Sequence, residues 1–468
     1  MLLPLLLGCS PPPGANAPLT GSMHLHAEGT LITDAEGTAV QLRGVNLGAW
    51  IFHETWMSSV DWPTWGRFRL CAQEAGYGAQ VDVALQQTGE TDDLDVLEAA
   101  LADQVGAGPA AAVRAEAEAY PSISDDSDLP LRQLLETRFG MGGRDALLDR
   151  YEGSWIGESD IEWLASEGFN LVRIPMGYRA LTTGSDLAAP TSLEWNEAAF
   201  ARLDTILAAC KANGTWAVLD IQEAPGGQND YSGPATLYTD PAMQALTVEL
   251  WTELSRRYAD HDEVAMYSLL AEPFSAPDMD ASIAEYDQLY QAIRGRGDDH
   301  LLVIHDGFMG LQNMPAPASL GWSDVVYSTH LFEWGTTSEA DYTAVMTLDD
   351  ALWDGAQAAQ DVPWFIGSFS TMEDADWAYA SARDLVDWYE GHGWGWAWWA
   401  YKRMDDPDAT AVWGTRTGWG LRRDPWVGFD RPDVWRDDQT TLDAKLGAYD
   451  GELGANEALL DALAPARR

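Results

Sequence analysis

Eight short apolar runs recur between residues 40 and 402, ending near Asn46, Pro175, Gln222, Glu272, Asp306, His330, Ser368 and Lys402. Runs of this length, bounded by Pro, Gly or a polar residue, have the form of strands covered on both faces in a parallel sheet. Most are separated by stretches of helical periodicity. In the stretch from Asn196 to Cys210, Phe200, Leu203, Leu207 and Cys210 fall on one face, Asn196 stands where a cap belongs, and Gly214 follows the end. Eight strands in βα alternation over this length predict an α/β fold, a (β/α)8 TIM barrel. A short hairpin around Leu31 to Val40 precedes the first strand, and Leu442 to Leu463 reads as the closing helix.

One interval breaks the alternation. Far more chain separates the first two strands than a βα loop needs, and residues from about Gly66 to Pro130 form an acidic, Ala-rich insertion with helical character, a candidate lid or subdomain. The expected organisation is a leader and linker over residues 1–20, then one barrel domain over 21–468 that carries the insertion at about 66–130. The segment from Met1 to Cys9 resembles a bacterial lipoprotein signal, with Leu6-Leu7-Gly8 before the Cys that is lipidated. Pro-rich residues 10–17 would then be an extended tether, and the protein an extracytoplasmic lipoprotein at the outer membrane or cell surface. The membrane is expected to be touched only through Cys9, since no other run is long and apolar enough to span it.

Composition narrows the partner. The 468 residues are 46% hydrophobic and 22% charged, as in a globular chain with a sizeable core. The net charge of -47 repels nucleic-acid phosphates and anionic surfaces, so a neutral partner fits better. No cofactor and no metal are expected, and the barrel is expected to act as a monomer.

The strand ends carry polar and aromatic side chains: Asn46, His53, Glu54, Arg173, Gln222, Glu272, His330, Phe332, Ser368 and Trp399. Active sites of barrels lie at this C-terminal face. Planar polar groups walled by indole rings suit a neutral polyhydroxylated ligand, because an aromatic face covers the apolar face of a sugar ring. The chain has 23 Trp, and Trp56, Trp62, Trp65, Trp334, Trp394, Trp396, Trp398 and Trp399 stand in or near these segments.

Four ordered motifs make the likeness specific. Residues 41–50 (QLRGVNLGAW), 168–178 (GFNLVRIPMGY), 224–229 (APGGQN) and 396–402 (WAWWAYK) resemble glycoside hydrolase family 5, in particular its exo-β-1,3-glucanase branch, over about His24 to Lys402 apart from the insertion. The resemblance implies a retaining β-glycosidase lineage on a (β/α)8 barrel, with an acid/base Glu after the fourth strand and a nucleophile Glu after the seventh. By position, Glu272 matches the acid/base, Arg173 the Arg that holds the nucleophile, His330 the active-site His, and Trp399 the sugar platform. Asn46, Glu54 and Trp334 fall beside them as substrate-binding candidates. Four positions depart: Gln222 stands for a His, Ala271 for the Asn that contacts the substrate 2-hydroxyl, Phe332 for the Tyr that bonds the nucleophile, and Ser368 for the nucleophile itself.

A retaining mechanism needs two carboxyl groups roughly 5 to 5.5 Å apart. A Ser hydroxyl is a poor nucleophile without a base to take its proton, and no Ser-His-acid spacing surrounds Ser368. Three readings stay open: a noncatalytic or strongly impaired binder of β-glucan polysaccharide or oligosaccharide; a hydrolase whose second carboxylate has moved to Glu223, Glu333 or Asp374; and a structural barrel with a filled cleft. Deprived of a nucleophile to hold, Arg173 is expected either to have found another acceptor, with Glu223 and Glu333 as the candidates, or to stay wet.

Overall fold

The computed structural model describes residues 24–467 apart from 59, 61–62, 90, 121–127, 185–186, 232, 234, 334, 372, 406–419, 426–429 and 450–452. Cys9 and the linker, and Trp62 and Trp334 of the aromatic candidates, lie outside these residues. Eight parallel strands close into a barrel in sequence order. They are β1 (Arg43–Asn46), β2 (Leu171–Gly177), β3 (Trp216–Glu223), β4 (Val264–Ser268), β5 (Leu301–His305), β6 (Val325–Phe332), β7 (Trp364–Ser370) and β8 (Gly395–Trp398). The predicted (β/α)8 architecture is therefore the observed one. The two-residue period of the strands divides the core. Side chains such as Leu171, Val218, Met266, Val303, Val326 and Phe365 fill the barrel interior, while Val172, Leu219, Tyr267, Ile304 and Ile366 pack outward against the helices.

The hairpin is a little larger than predicted, since His26–Glu28 pairs antiparallel with Leu31–Thr33 and Thr33 bridges Ala39. Two expectations at the C-terminal end need correction. The eighth strand stops at Trp398, and Lys402 opens a separate strand, Lys402–Asp405, in a three-stranded sheet. The buried ammonium of Lys402 needs acceptors that the barrel wall lacks, and it finds them in the Trp155 carbonyl at 2.6 Å and Asp160 at 2.9 Å. The single closing helix is two short ones, Gln439–Leu446 and Glu457–Leu463, because Asp438 and Asn456 each cap a fresh start.

The insertion folds as four helices, α1 (Thr64–Glu74), α2 (Gly78–Thr88), α3 (Leu94–Val105) and α4 (Ala107–Glu118), around their own core of Phe68, Val81, Leu97, Leu101 and Val113. Alanines 72, 84, 100, 110 and 117 are buried between the helices, which explains the composition: small side chains let short helices approach closely. The unit is a subdomain, docked on the C-terminal segment by Arg67 on Asp433 (2.9 Å) and Arg436 on Glu74 (2.8 Å).

Beyond it, Asp128–Trp155 forms two helices joined at Gly140, whose backbone is non-helical (φ 73°, ψ 170°), and at the end of β1 His53 bonds Asp128 and sits 3.2 Å from Glu152. Burial disfavours a charged His53 ring, but the two carboxylates outweigh it and its pKa is raised. The break at Gly140 turns the second helix back, so that Asp128 and Glu152 meet at one buried imidazole and the helix pair is fixed to the barrel mouth.

Candidate functional site

Two residues beyond the apolar interior layer, five strands turn polar: Leu171 is followed by Arg173, Val218 by Asp220, Met266 by Ser268, Val303 by His305 and Val326 by Ser328, and Asn46 of β1 joins the same layer. A buried polar layer must satisfy itself. Arg173, 1% exposed, donates through Nη1 to Asn46 Oδ1 at 2.6 Å and pairs through Nη2 with Asp220 Oδ2 at 2.8 Å. Asn46 Nδ2 lies within reach of the carbonyls of Gly367, Ala397 and Trp398 at 3.1–3.2 Å, which closes the layer between β7 and β1. Burial raises the Asp220 pKa against the pull of Arg173 and Ser268. The acceptor of Arg173 is thus Asp220, neither Glu223 nor Glu333. Glu223 is taken by Arg179, and Glu333 is half-buried with its pKa raised by burial.

Glu272 stands above this layer, four residues past β4, with a left-handed backbone (φ 47°) that costs a non-glycine residue about 1–2 kcal/mol. The loop after β3 holds it there. Gln228 Nε2 donates to the carbonyls of Gln222 and Ala271, both at 2.8 Å, and Asn229 Nδ2 donates to the Glu272 carbonyl at 3.2 Å. Residues 224–229 therefore form a bracket between two strand ends. The Glu272 carboxyl group is gripped at both oxygens, Oε1 by His330 Nδ1 at 2.6 Å and Oε2 by the Tyr231 hydroxyl at 2.6 Å. Burial and the nearby Arg173 hold His330 well below the ordinary imidazole range, so it brings a hydrogen bond and no charge. His305 packs edge-on against it, 4.5 Å between ring centres, and accepts the Gly307 N–H on Nδ1.

His305 is also held neutral, by burial first and then by His330. Its folded pKa lies below its unfolded one, so its contribution is present above the unfolded value near 6.5 and is lost as pH falls below it. The stability gap between wild type and His305→Asn is expected to narrow by about 1.4 kcal/mol per pH unit below 6.5. Urea titrations at pH 7.0, 6.0 and 5.5 measure this, and a gap that does not change with pH refutes it.

Ser368 reaches the same place by an irregularity in β7. Along β6, Thr329 pairs with Ile366 but the next residue, His330, pairs with Ser368; on the other side, Ile366 and Phe369 pair with Trp396 and Trp398. Gly367 is the extra residue of a β-bulge, and such bulges re-aim side chains. A Cβ on Gly367 would lie 2.9 Å from His330 Nε2 and 3.0 Å from Ser328 Oγ, so only glycine fits. Ser368 becomes the cross-strand partner of the histidine that grips Glu272. Its hydroxyl is buried, 2% exposed, and no described residue bonds it.

The remaining predicted residues divide. Gln222 is half-buried and its Oε1 meets no partner among the described residues; Glu54 is buried and Phe332 half-buried. Trp399 is 6% exposed, its ring held against Gly48, where a Cβ would come within 3.1 Å. Trp394, Trp396 and Trp398 are buried, and Trp65 belongs to the subdomain core, so none of these four is a platform. The aromatic rim is instead the exposed Tyr231 (40%) and Phe308 (50%) with the half-buried Phe274 between them, ring centres 5.1 and 6.3 Å apart. Asp220, Gln228, Asn229, Tyr231 and His305 were not singled out by the sequence. Counting by two from Leu171 and Val218 would have found the Arg173–Asp220 pair, whereas Gln228 and Asn229 stood inside the motif 224–229 without a role, because they bond backbone carbonyls.

A family model described as cellulase (glycosyl hydrolase family 5) matches residues 140–405, and α1 to α4 lie outside that range. A β-xylosidase of Phanerodontia chrysosporium is 29% identical over 211 residues, 43% of this chain and 43% of that protein. The probable glucan 1,3-β-glucosidase A of Emericella nidulans is 24% identical over 382 residues, 78% of this chain and 76% of that protein. The alignment thus spans less than half the length of the first relative and about three quarters of the second. A crystal structure of an endogalactoceramidase superposes with a TM-score of 0.54 at 18% identity over 94% of this chain and 84% of that one, a likeness of fold.

Proposed function

The chain belongs to glycosyl hydrolase family 5, and from that footing we propose that it recognises β-glucan chains as a noncatalytic or strongly impaired binder. The observation that carries the reading is the pairing at Glu272 and Ser368. One carboxyl group is gripped by two donors, and across His330 from it stands a hydroxyl, on the bulge where the family resemblance implies a nucleophilic carboxylate. Of the candidates for a displaced carboxylate, Glu223 pairs with Arg179 and Asp374 accepts the Tyr379 hydroxyl, while Glu333 is half-buried with its pKa raised by burial and is the one that Glu333→Gln tests most directly. The glucan reading is supported by the Emericella nidulans relative, and by the rim of Tyr231, Phe274 and Phe308 beside Glu272, which offers an apolar face next to hydrogen-bonding groups. With Cys9 lipidated, this face would be displayed from a membrane surface.

Calorimetry with β-1,3- and β-1,4-gluco-oligosaccharides is expected to show binding, while reducing-sugar release stays at background. Glu272→Gln is expected to weaken binding by about 1.5 to 3 kcal/mol, the value of a hydrogen bond to a charged group. Cleavage by the wild type that disappears in Glu272→Gln would refute the binder and move the search to Glu223→Gln, Glu333→Gln and Asp374→Asn.

A further inference from the structure

The loop after β1 is held in two ways, and they change over at Ile51. Up to that residue the backbone carries it: the Leu47 N–H donates to the Arg173 carbonyl at 2.8 Å, and Ile51 bridges Met176. The second helix of the pair joined at Gly140 adds Trp155 Nε1, which donates to the Gly48 carbonyl at 2.9 Å, and the Tyr151 hydroxyl, which donates to that of Ala49. Past Ile51, Phe52 to Glu54 belong to no strand or helix, and the side chain that anchors them is His53, 1% exposed. We propose that His53 is a positioning residue for glycan binding: its doubly protonated ring fixes the segment that presents Glu54 to the ligand, and loss of one ring proton releases that segment. This rests on the reading above, with Glu54 among the glucan contacts.

Both ring nitrogens face acids. Nδ1 bonds Asp128 Oδ1, and Nε2 approaches Glu152 Oε1 at 3.2 Å as an ion pair, off the line of a hydrogen bond. A neutral imidazole has one N–H and one lone pair, so either tautomer turns a lone pair toward a carboxylate, and only the imidazolium offers a proton to each. Each acid has an arginine of its own: Arg132 Nε donates to Asp128 Oδ2 at 2.6 Å, and Arg202 bonds Glu152 as well as Asp149. Arg132 Nη2, 3.3 Å from Nδ1, opposes the ring charge, as burial does, and the two carboxylates outweigh both. Among the described residues the other groups in reach are Glu54 itself, the Arg179–Glu223 pair beyond Asp128, and Tyr151, which burial keeps protonated. Because the folded pKa of His53 is raised above the unfolded value near 6.5, the clamp is complete below 6.5 and is lost as pH climbs through the raised value. The ring that keeps its Nδ1 proton then holds Asp128 and turns a lone pair to Glu152, which is left to Arg202, and the loop parts from the second helix at His53.

Calorimetry with laminaritetraose between pH 6 and 9.5 tests this, with circular dichroism to show that the protein is folded at both ends. The wild-type affinity is expected to fall about 10-fold across the range, on the order of one charge-assisted hydrogen bond. His53→Gln cannot take up the charge and keeps every other titrating group; it is expected to bind about 10-fold more weakly at pH 6, with no further fall at pH 9.5. Glu152→Gln, whose amide can donate to the Nε2 lone pair of a neutral ring, is expected to flatten the profile too, and it decides the matter if His53→Gln does not fold. A merely structural His53 would shift the melting temperature without tying affinity to pH. Wild-type binding that does not weaken at high pH overturns the positioning role, as does an alkaline fall that persists in folded His53→Gln or Glu152→Gln, and each of these leaves the glucan reading standing. Absence of binding at pH 6 in the wild type overturns both.

Discussion

Ser368→Glu is expected to give the protein β-glucan hydrolysis at least on the order of 10²-fold above the wild type. The substitution supplies the second carboxyl group at the bulge that already aims this position into the barrel mouth, opposite His330 and the acid Glu272. Proton donation by a placed acid contributes about 10²- to 10⁴-fold, and that contribution is unused while nothing attacks the anomeric carbon. The lower end is expected, because Gln222, Ala271 and Phe332 do not offer the new carboxylate and the substrate the bonds that the family pattern implies. A buried carboxylate also needs donors. Arg173 reaches Asn46 and Asp220 through Nη1 and Nη2, and each terminal nitrogen of a guanidinium carries a second N–H. Reducing-sugar assays measure the gain, and NMR of the first product should show retained β configuration. A folded Ser368→Glu protein that binds oligosaccharide yet releases no sugar would remove Ser368 from the nucleophile's place.

The largest effect on stability is expected at Asp220. Both members of the Arg173–Asp220 pair are at most 1% exposed, and breaking such a pair costs about 3 to 5 kcal/mol when one charge is left uncompensated. The two halves are not equivalent. Asp220→Leu leaves a guanidinium that cannot give up its proton and keeps, among the described residues, the Asn46 oxygen as its bonded acceptor, so the full cost is expected. Arg173→Met leaves a carboxyl group whose pKa burial already raises, and this group can take a proton instead. Its cost should therefore be smaller and should shrink further as pH falls from 7 toward 5, the raised pKa favouring the proton-bound folded state. The double variant Asp220→Leu/Arg173→Met is expected to recover most of the loss. Equal costs for the two single variants at every pH would refute the argument.

These expectations show what a sequence can and cannot reveal here. Apolar runs report strands buried on both faces, so all eight barrel strands were legible, and the run ending at Glu272 placed that acid at the correct end. The bulge was not, because an extra residue in a ladder is defined by its neighbours: Gly367 is an ordinary glycine until Thr329–Ile366 and His330–Ser368 are seen as successive pairs. The tryptophan wall failed for a related reason. Trp396 and Trp398 alternate with Ala397, so the interior side of β8 receives the alanine and the indoles go to the helix layer. Arg173 was assigned the wrong partner because distance along the chain was used where position around the barrel decides: β2 and β3 are neighbours, and Asp220 lies on their shared interior face.

The helical insertion has one consequence for how the molecule comes apart. Its four helices share a core separate from that of the barrel, and its docking on the C-terminal segment includes the ion pairs Arg67–Asp433 and Arg436–Glu74. Cooperativity follows shared apolar contact, so the unit should melt as a foldon of its own, below the barrel transition. Calorimetry should resolve two endotherms. Amide exchange should be faster for buried positions of residues 64–118 than for the barrel strands, and the lower endotherm should move down in high salt, which screens the exposed Arg436–Glu74 pair far more than the buried Arg67–Asp433 pair, while the upper one holds its place. A single endotherm with uniform exchange would mean that the barrel and the insertion share one free energy of unfolding.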